Sequence, residues 1–91
     1  MLYAISYDIP DDRRRLRVAK VLKDFGDRVQ LSVFEVRVEK DQLERLKKRV
    51  TEVLDTEEDG FRIYPLCASC AEGIVILGQG KVTEDPDIIV I

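Results

Sequence analysis

Apolar residues recur along the chain with two periods, one of two residues and one of about 3.6 residues, and the switching between them lays out the elements. Over residues 2–8, Tyr3, Ile5 and Tyr7 point one way while Leu2, Ala4 and Ser6 point the other. Both rows are largely apolar, the pattern of a central strand covered on at least one face. Ile9-Pro10-Asp11-Asp12 ends that strand, and Asp11 or Asp12 suits the N-cap of a following helix, where a short carboxylate accepts from first-turn amides. The spacing of Leu16, Ala19, Leu22 and Phe25, with Val18 and Val21 beside them, predicts a helix over residues 12–25. Gly26 falls where a left-handed C-terminal residue is expected.

Period two returns over residues 28–38. Val29, Leu31 and Val33 alternate, then Phe34, Val36 and Val38 alternate in the opposite phase. A one-residue phase change predicts a bulge or a turn near Ser32–Phe34. Leu43, Leu46, Val50, Val53 and Leu54 make the stripe of a second helix over residues 41–54, with Asp41 as its cap. Residues 55–60 form a polar loop. Phe61–Leu66 reads as a strand whose Pro65 suits an edge or a strand end. Residues 73–77 read as another short strand. After Asp85-Pro86-Asp87, the run Ile88-Ile89-Val90-Ile91 is a fourfold β-branched apolar segment that would invite aggregation unless paired to a sheet edge in this subunit or a partner.

These elements predict an α+β fold, a β-α-β-β-α-β core with additional C-terminal strands, in one domain spanning residues 1–91: a core to about residue 78 and a strand tail over about 79–91. A domain of 91 residues buries a modest core, so a second subunit held through the tail is expected. No apolar run approaches the ~18–20 residues of a membrane span. The first residues read as a strand and not as a signal peptide, which implies a cytoplasmic protein.

Charge changes the picture more than composition does. The net charge of −3 argues against an indiscriminate nucleic-acid coat. Yet Arg13, Arg14, Arg15, Arg17, Lys20, Lys23 and Arg28 crowd the first third, while the chain beyond residue 55 is mostly acidic. A solvated helix face is the bland reading of the arginines. The functional reading is phosphate contact, for which the planar, two-pronged guanidinium is suited. The absence of Asn and His, with many Glu, Lys and Arg, leans towards a thermophile.

Without histidine, a His general base and a Ser-His triad are excluded, so any hydrolysis must use metal and carboxylate chemistry. Ser32 accordingly reads as a turn former. Cys67-Ala68-Ser69-Cys70 is two reduced thiols or a local disulfide. A zinc site would need ligands from two subunits, and a redox site would normally open a helix, whereas a strand is expected next. Asp8, at the end of the first strand, has the bland reading of a cap or turn former.

Three segments carry a likeness. Tyr7-Asp8-Ile9 followed by Asp12 and Arg15, then Arg28-Val29-Gln30-Leu31-Ser32-Val33-Phe34-Glu35, then Arg62-Ile63-Tyr64-Pro65-Leu66-Cys67 resemble the CRISPR-associated protein 2 family over residues 1 to about 78. The resemblance implies a ferredoxin-like homodimer that acts in spacer acquisition, bridges a CRISPR-associated integrase and holds duplex DNA. It also implies, for several members, a metal-dependent endonuclease acting on RNA or DNA; the alternative is a non-catalytic adaptor. By resemblance Asp8 is the metal-binding and catalytic acid, Tyr7 belongs to the catalytic site, and Arg15, Arg17, Arg28 and Phe34 contact nucleic acid. The implied cofactor is Mg²⁺ or another divalent cation, which takes one or two carboxylates plus waters and phosphate. A two-fold axis near Asp8 would supply two carboxylates from a one-Asp motif. Phe34 stacks on a base only if the turn exposes it; otherwise it is core. A small-molecule-sensing domain finds no support, since the chain has no Gly-rich phosphate loop.

Overall fold

The computed structural model describes residues 1–83. Seven elements follow in order: β1 (Leu2–Asp8), α1 (Asp12–Lys23), β2 (Gly26–Gln30), β3 (Val33–Arg37), α2 (Lys40–Thr51), β4 (Gly60–Leu66) and a short α3 (Ala68–Glu72). The strands form one antiparallel sheet in the order β2-β3-β1-β4, so β1 is central, as its two apolar rows required. Each of α1 and α2 is a crossover between parallel strands that are not neighbours, which is the ferredoxin-like β-α-β-β-α-β arrangement expected.

The core lies between the sheet and the two long helices. Tyr3, Ile5, Tyr7, Phe34 and Val36 of the sheet meet Val18, Ala19 and Leu22 of α1 and Leu43, Leu46 and Val50 of α2. Leu16 is an exception to the expected stripe and is exposed. Six residues before Leu22, at about 100° per residue, it stands about 120° around the helix from the core direction. Asp11 caps α1, its Oδ1 accepting from the Arg14 amide at 2.9 Å. The cap of α2 is Glu39, not Asp41: Gln42 Oε1 reaches back to the Glu39 amide at 3.0 Å, one half of a capping box.

The phase change near Ser32 resolves into both expected features. Leu31 and Ser32 form the tight turn between β2 and β3, Ser32 takes a left-handed φ of 61°, and the register slips between Arg28 and Gln30. The Ser32 carbonyl accepts from the Tyr7 amide at 3.1 Å, which ties the turn to the end of β1. Gly26 is not the left-handed cap expected. It opens β2, and a Cβ there would collide with the Glu35 carbonyl and with Val36 of β3. Its role is close approach of two backbones. Pro65 lies on the outer strand β4, where its missing N–H costs no ladder bond.

Residues 73–77 are not a strand, because within the described residues their backbone finds no ladder to join. Val75 and Leu77 are 79% and 91% exposed. The chain then returns across the sheet face opposite the helices. Thr83 donates through its amide and hydroxyl to Glu35 at 3.3 and 3.1 Å, and Arg37 Nε donates to the Thr83 carbonyl at 3.2 Å. The Ile88–Ile91 segment lies outside the described residues. No helix among the described residues is long and apolar enough to cross a membrane.

Candidate active site

Alternation along β1 decides what the site contains. With Tyr3, Ile5 and Tyr7 turned into the core, Leu2, Ala4, Ser6 and Asp8 face the other side of the sheet. The antiparallel register sets Arg62 beside Ser6 and Gly60 beside Asp8. Ser6, Tyr7, Asp8, Gly60 and Arg62 line a shallow cleft of about 310 Å³ at this end of the sheet. Asp8 is exposed there, one carboxylate at the C-terminal end of the central strand. Gly60 opposite it leaves the approach open; a Cβ at that position would touch Asp8 Cβ at 3.9 Å.

Ion pairs and hydrogen bonds hold the loops next to the cleft. Arg14 Nε and Nη2 donate to the two oxygens of Asp59 at 2.9 and 3.0 Å, and Nη2 donates to Glu58 at 2.8 Å. The Asp59 side chain is closed to solvent, and the Arg14 guanidinium, seconded by the Asp55 amide, holds its carboxyl below the usual carboxylate range. This bidentate clamp ties the start of α1 to the loop that enters β4 at Gly60. Arg15 Nη1 donates to the Ile9 carbonyl at 2.9 Å, and its Nη2 pairs with Asp12. Arg15 thus fastens the β1–α1 loop directly after Asp8.

Not all the residues singled out in the sequence gather here. Asp8 and Arg15 share the end of β1. The Tyr7 ring turns away, 6% exposed, between Phe34 at 6.2 Å and Phe61 at 6.5 Å between ring centroids. Phe34 is fully buried, so its ring offers no face to a base; the turn does not expose it. Arg28 lies on the far outer strand β2, its guanidinium 5.7 Å from the Phe34 ring centre. Arg17 lines a separate groove on the helix side with Lys20, Asp24 and Arg49. Arg62 was not singled out as a site residue. Its signal was the strand spacing that sets a cation two positions beyond Gly60 on the same face as Asp8. Its Nη1 donates to Tyr64 Oη at 3.0 Å, which steers the guanidinium along the open face.

The donors fit a hard cation only in part. Among the described residues, no three acid, thiol or imidazole groups gather as a metal cage. One chain offers Asp8 with the Ser6 hydroxyl beside it, an oxygen set of the kind that suits Mg²⁺ retaining several waters.

A ferredoxin-like sheet with a lone exposed carboxylate at the end of its central strand defines a class of small α+β domain. Comparison with known proteins narrows it. Residues 1–74 match the family model described as CRISPR associated protein Cas2, and the chain belongs to that family. It is 41% identical over 90 residues to a Synechocystis sp. protein named CRISPR-associated endoribonuclease Cas2 3, covering 99% of this chain and 98% of the relative. A Thermus thermophilus protein named CRISPR-associated endonuclease Cas2 2 is 46% identical over 83 residues, covering 91% and 88% respectively. Among solved structures, a chain of a partial Cas6-RT-Cas1–Cas2 complex superposes with a TM-score of 0.77 at 26% identity, covering 99% of this chain and 98% of that one.

Proposed function

We propose that this protein is a metal-dependent nuclease of CRISPR spacer acquisition that cleaves phosphodiester bonds as a homodimer, with Asp8 of two copies holding one divalent cation. The observation that carries the reading is the placement of Asp8: exposed, on the sheet face that α1 and α2 leave open, with one carboxylate per chain. Relatives with nuclease names across nearly the whole chain support it. A hard divalent cation such as Mg²⁺, when bound, supplies Lewis-acid polarisation of the phosphodiester. The chain's own residues do the rest. Arg62 neutralises and orients a phosphate over the cleft, Arg15 keeps the Asp8 loop in place, and the Arg14–Asp59 clamp anchors the loop that leads into β4 at Gly60. Tyr7 acts as a positioning residue, its buried ring setting the course of β1 just before Asp8.

A second reading, a non-catalytic adaptor that grips duplex DNA and docks an integrase, is favoured by one observation. Ile74–Leu77 is an apolar run that joins no strand among the described residues, with Val75 and Leu77 largely exposed, and so leaves apolar surface for another chain to cover. The likeness to a chain of a partial Cas6-RT-Cas1–Cas2 complex supports a role in assembly.

The test incubates the purified protein with labelled RNA and duplex DNA, with and without Mg²⁺, beside Asp8→Ala. Mg²⁺-dependent cleavage by the wild type alone, with both proteins equally folded by circular dichroism, is the expected result. Binding without cleavage leaves the adaptor reading in its place.

A further inference from the structure

The sequence pattern set a strand after Cys67-Ala68-Ser69-Cys70, which spoke against a redox site. The structure reverses that order. β4 ends at Leu66, Cys67 is the N-cap residue of α3, and Cys70 stands one turn further on. Helical spacing brings the two side chains to one side. Their Sγ atoms are hydrogen-bonded to one another at 3.2 Å, and Cys67 Sγ is also 3.2 Å from Ser69 Oγ. Both thiols are reduced and exposed. They take no part in the Asp8 cleft.

The two sulfurs are not equivalent. The Ser69 hydroxyl, the Cys70 amide and the Cys70 thiol all favour charge on Cys67, which holds its pKa down to about 7. Cys70 faces that sulfur and is pushed up. A thiol that titrates near ambient pH is the best attacking group in thiol–disulfide exchange, and a neighbouring thiol in contact with it is placed to complete the exchange.

We propose that Cys67 and Cys70 form a redox-active dithiol that exchanges with low-molecular-weight disulfides, Cys67 attacking and Cys70 resolving. The Cys67 thiolate attacks one sulfur of a disulfide RSSR; the S–S bond breaks and one RS⁻ leaves, giving a mixed disulfide on Cys67. Cys70 loses its proton, and its sulfur attacks Cys67 Sγ; the second RS⁻ leaves. The two protons released by the cysteines go to the two RS⁻ groups. The protein loses two electrons and RSSR gains them, becoming two RSH. Closing the bond moves the sulfurs from contact to about 2.05 Å, a step of about 1 Å that lies within reach of side-chain rotation.

The test equilibrates the full chain with graded mixtures of reduced and oxidised glutathione and reads intact mass and peptide map. The expected result is a reversible loss of two hydrogens per chain, with Cys67 and Cys70 joined in one peptide. Cys70→Ser should accumulate a glutathione adduct on Cys67, and its alkylation by iodoacetamide should rise with a midpoint near pH 7. Cys67→Ser should react about tenfold more slowly at neutral pH, because its remaining thiol lacks the lowered pKa. Equal reactivity of the two variants would overturn the proposal. So would a disulfide that joins two copies instead of closing within one, or a zinc ion held by the reduced protein and released when the thiols are blocked.

Discussion

On the side of the sheet that faces α1 and α2, Ile5, Phe34 and Val36 are wholly buried and Tyr3 and Tyr7 nearly so. On the other side the same strands present Ser6, Asp8, Glu35, Arg37, Arg62 and Tyr64, and among the described residues the returning segment up to Thr83 crosses them. One strand, β1, serves both sides by alternation. The first side is made of groups whose value lies in leaving water; the second, at the Asp8 end, is made of groups that keep their charge and their access, while Leu2 at its other end is buried. Tyr7 and Asp8 are adjacent in sequence and belong to different sides. Substitutions on the two sides should therefore separate cleanly into those that change folding and those that change nucleic-acid chemistry.

The largest effect should come from the covered side. Phe34→Ala removes a fully buried ring and should cost about 3–5 kcal/mol in urea unfolding. If that variant instead stays folded and loses only nucleic-acid binding, the division between the sides fails at its centre. Asp8→Ala is the opposite case. Its cleavage rate should fall at least about a hundredfold, since the loss even of a metal's outer partners costs roughly ten- to a hundredfold. Its unfolding midpoint should stay within the scatter of a surface substitution, roughly 0.5 kcal/mol. Arg62→Ala should weaken binding of a short duplex about tenfold, the scale of one charge-assisted contact, with a shallower salt dependence and an unchanged melting temperature.

The smallest effect is pH-dependent. The carboxyls of Asp59 and Asp11 are both held below their ordinary range, Asp59 by the Arg14 guanidinium and Asp11 by the Arg14 amide. Such groups bind a proton less readily folded than unfolded. Their contribution is therefore complete above the unfolded carboxylate value of about 3.9 and is lost as pH falls through the lower folded values. Thermal melts of the wild type below about pH 4 should fall more steeply than those of Arg14→Ala, which has already lost the clamp.

Much of the fold was legible because it depends on periods. The apolar rows of β1, the stripe of α2 and the phase break at Ser32 each follow from local geometry that sequence spacing records directly. What was not legible depends on neighbours distant in sequence. Gly26 reads as a helix cap until β3 is seen pressing on it. The apolar run at residues 73–77 has the composition of a strand, but composition supplies no partner. Leu16 fits steps of three and misses the true 3.6. The site divides the same way. The strand-end position of Asp8 was legible from the pattern, while its metal-binding role is what the family likeness implied. Arg62 became visible only once β4 lay antiparallel to β1, and Phe34 could be assigned to the core only once the turn beside it closed on the Tyr7 amide.

The claim that one carboxylate per chain is completed by a second copy can be tested most directly in a mixed dimer. Wild-type and Asp8→Ala chains with different affinity tags are co-expressed, and the species carrying both tags is assayed for Mg²⁺-dependent cleavage. If two Asp8 groups share one cation, the mixed species should fall at least about tenfold below the wild-type dimer. Half the wild-type activity would mean that each copy works alone, and would contradict the shared site.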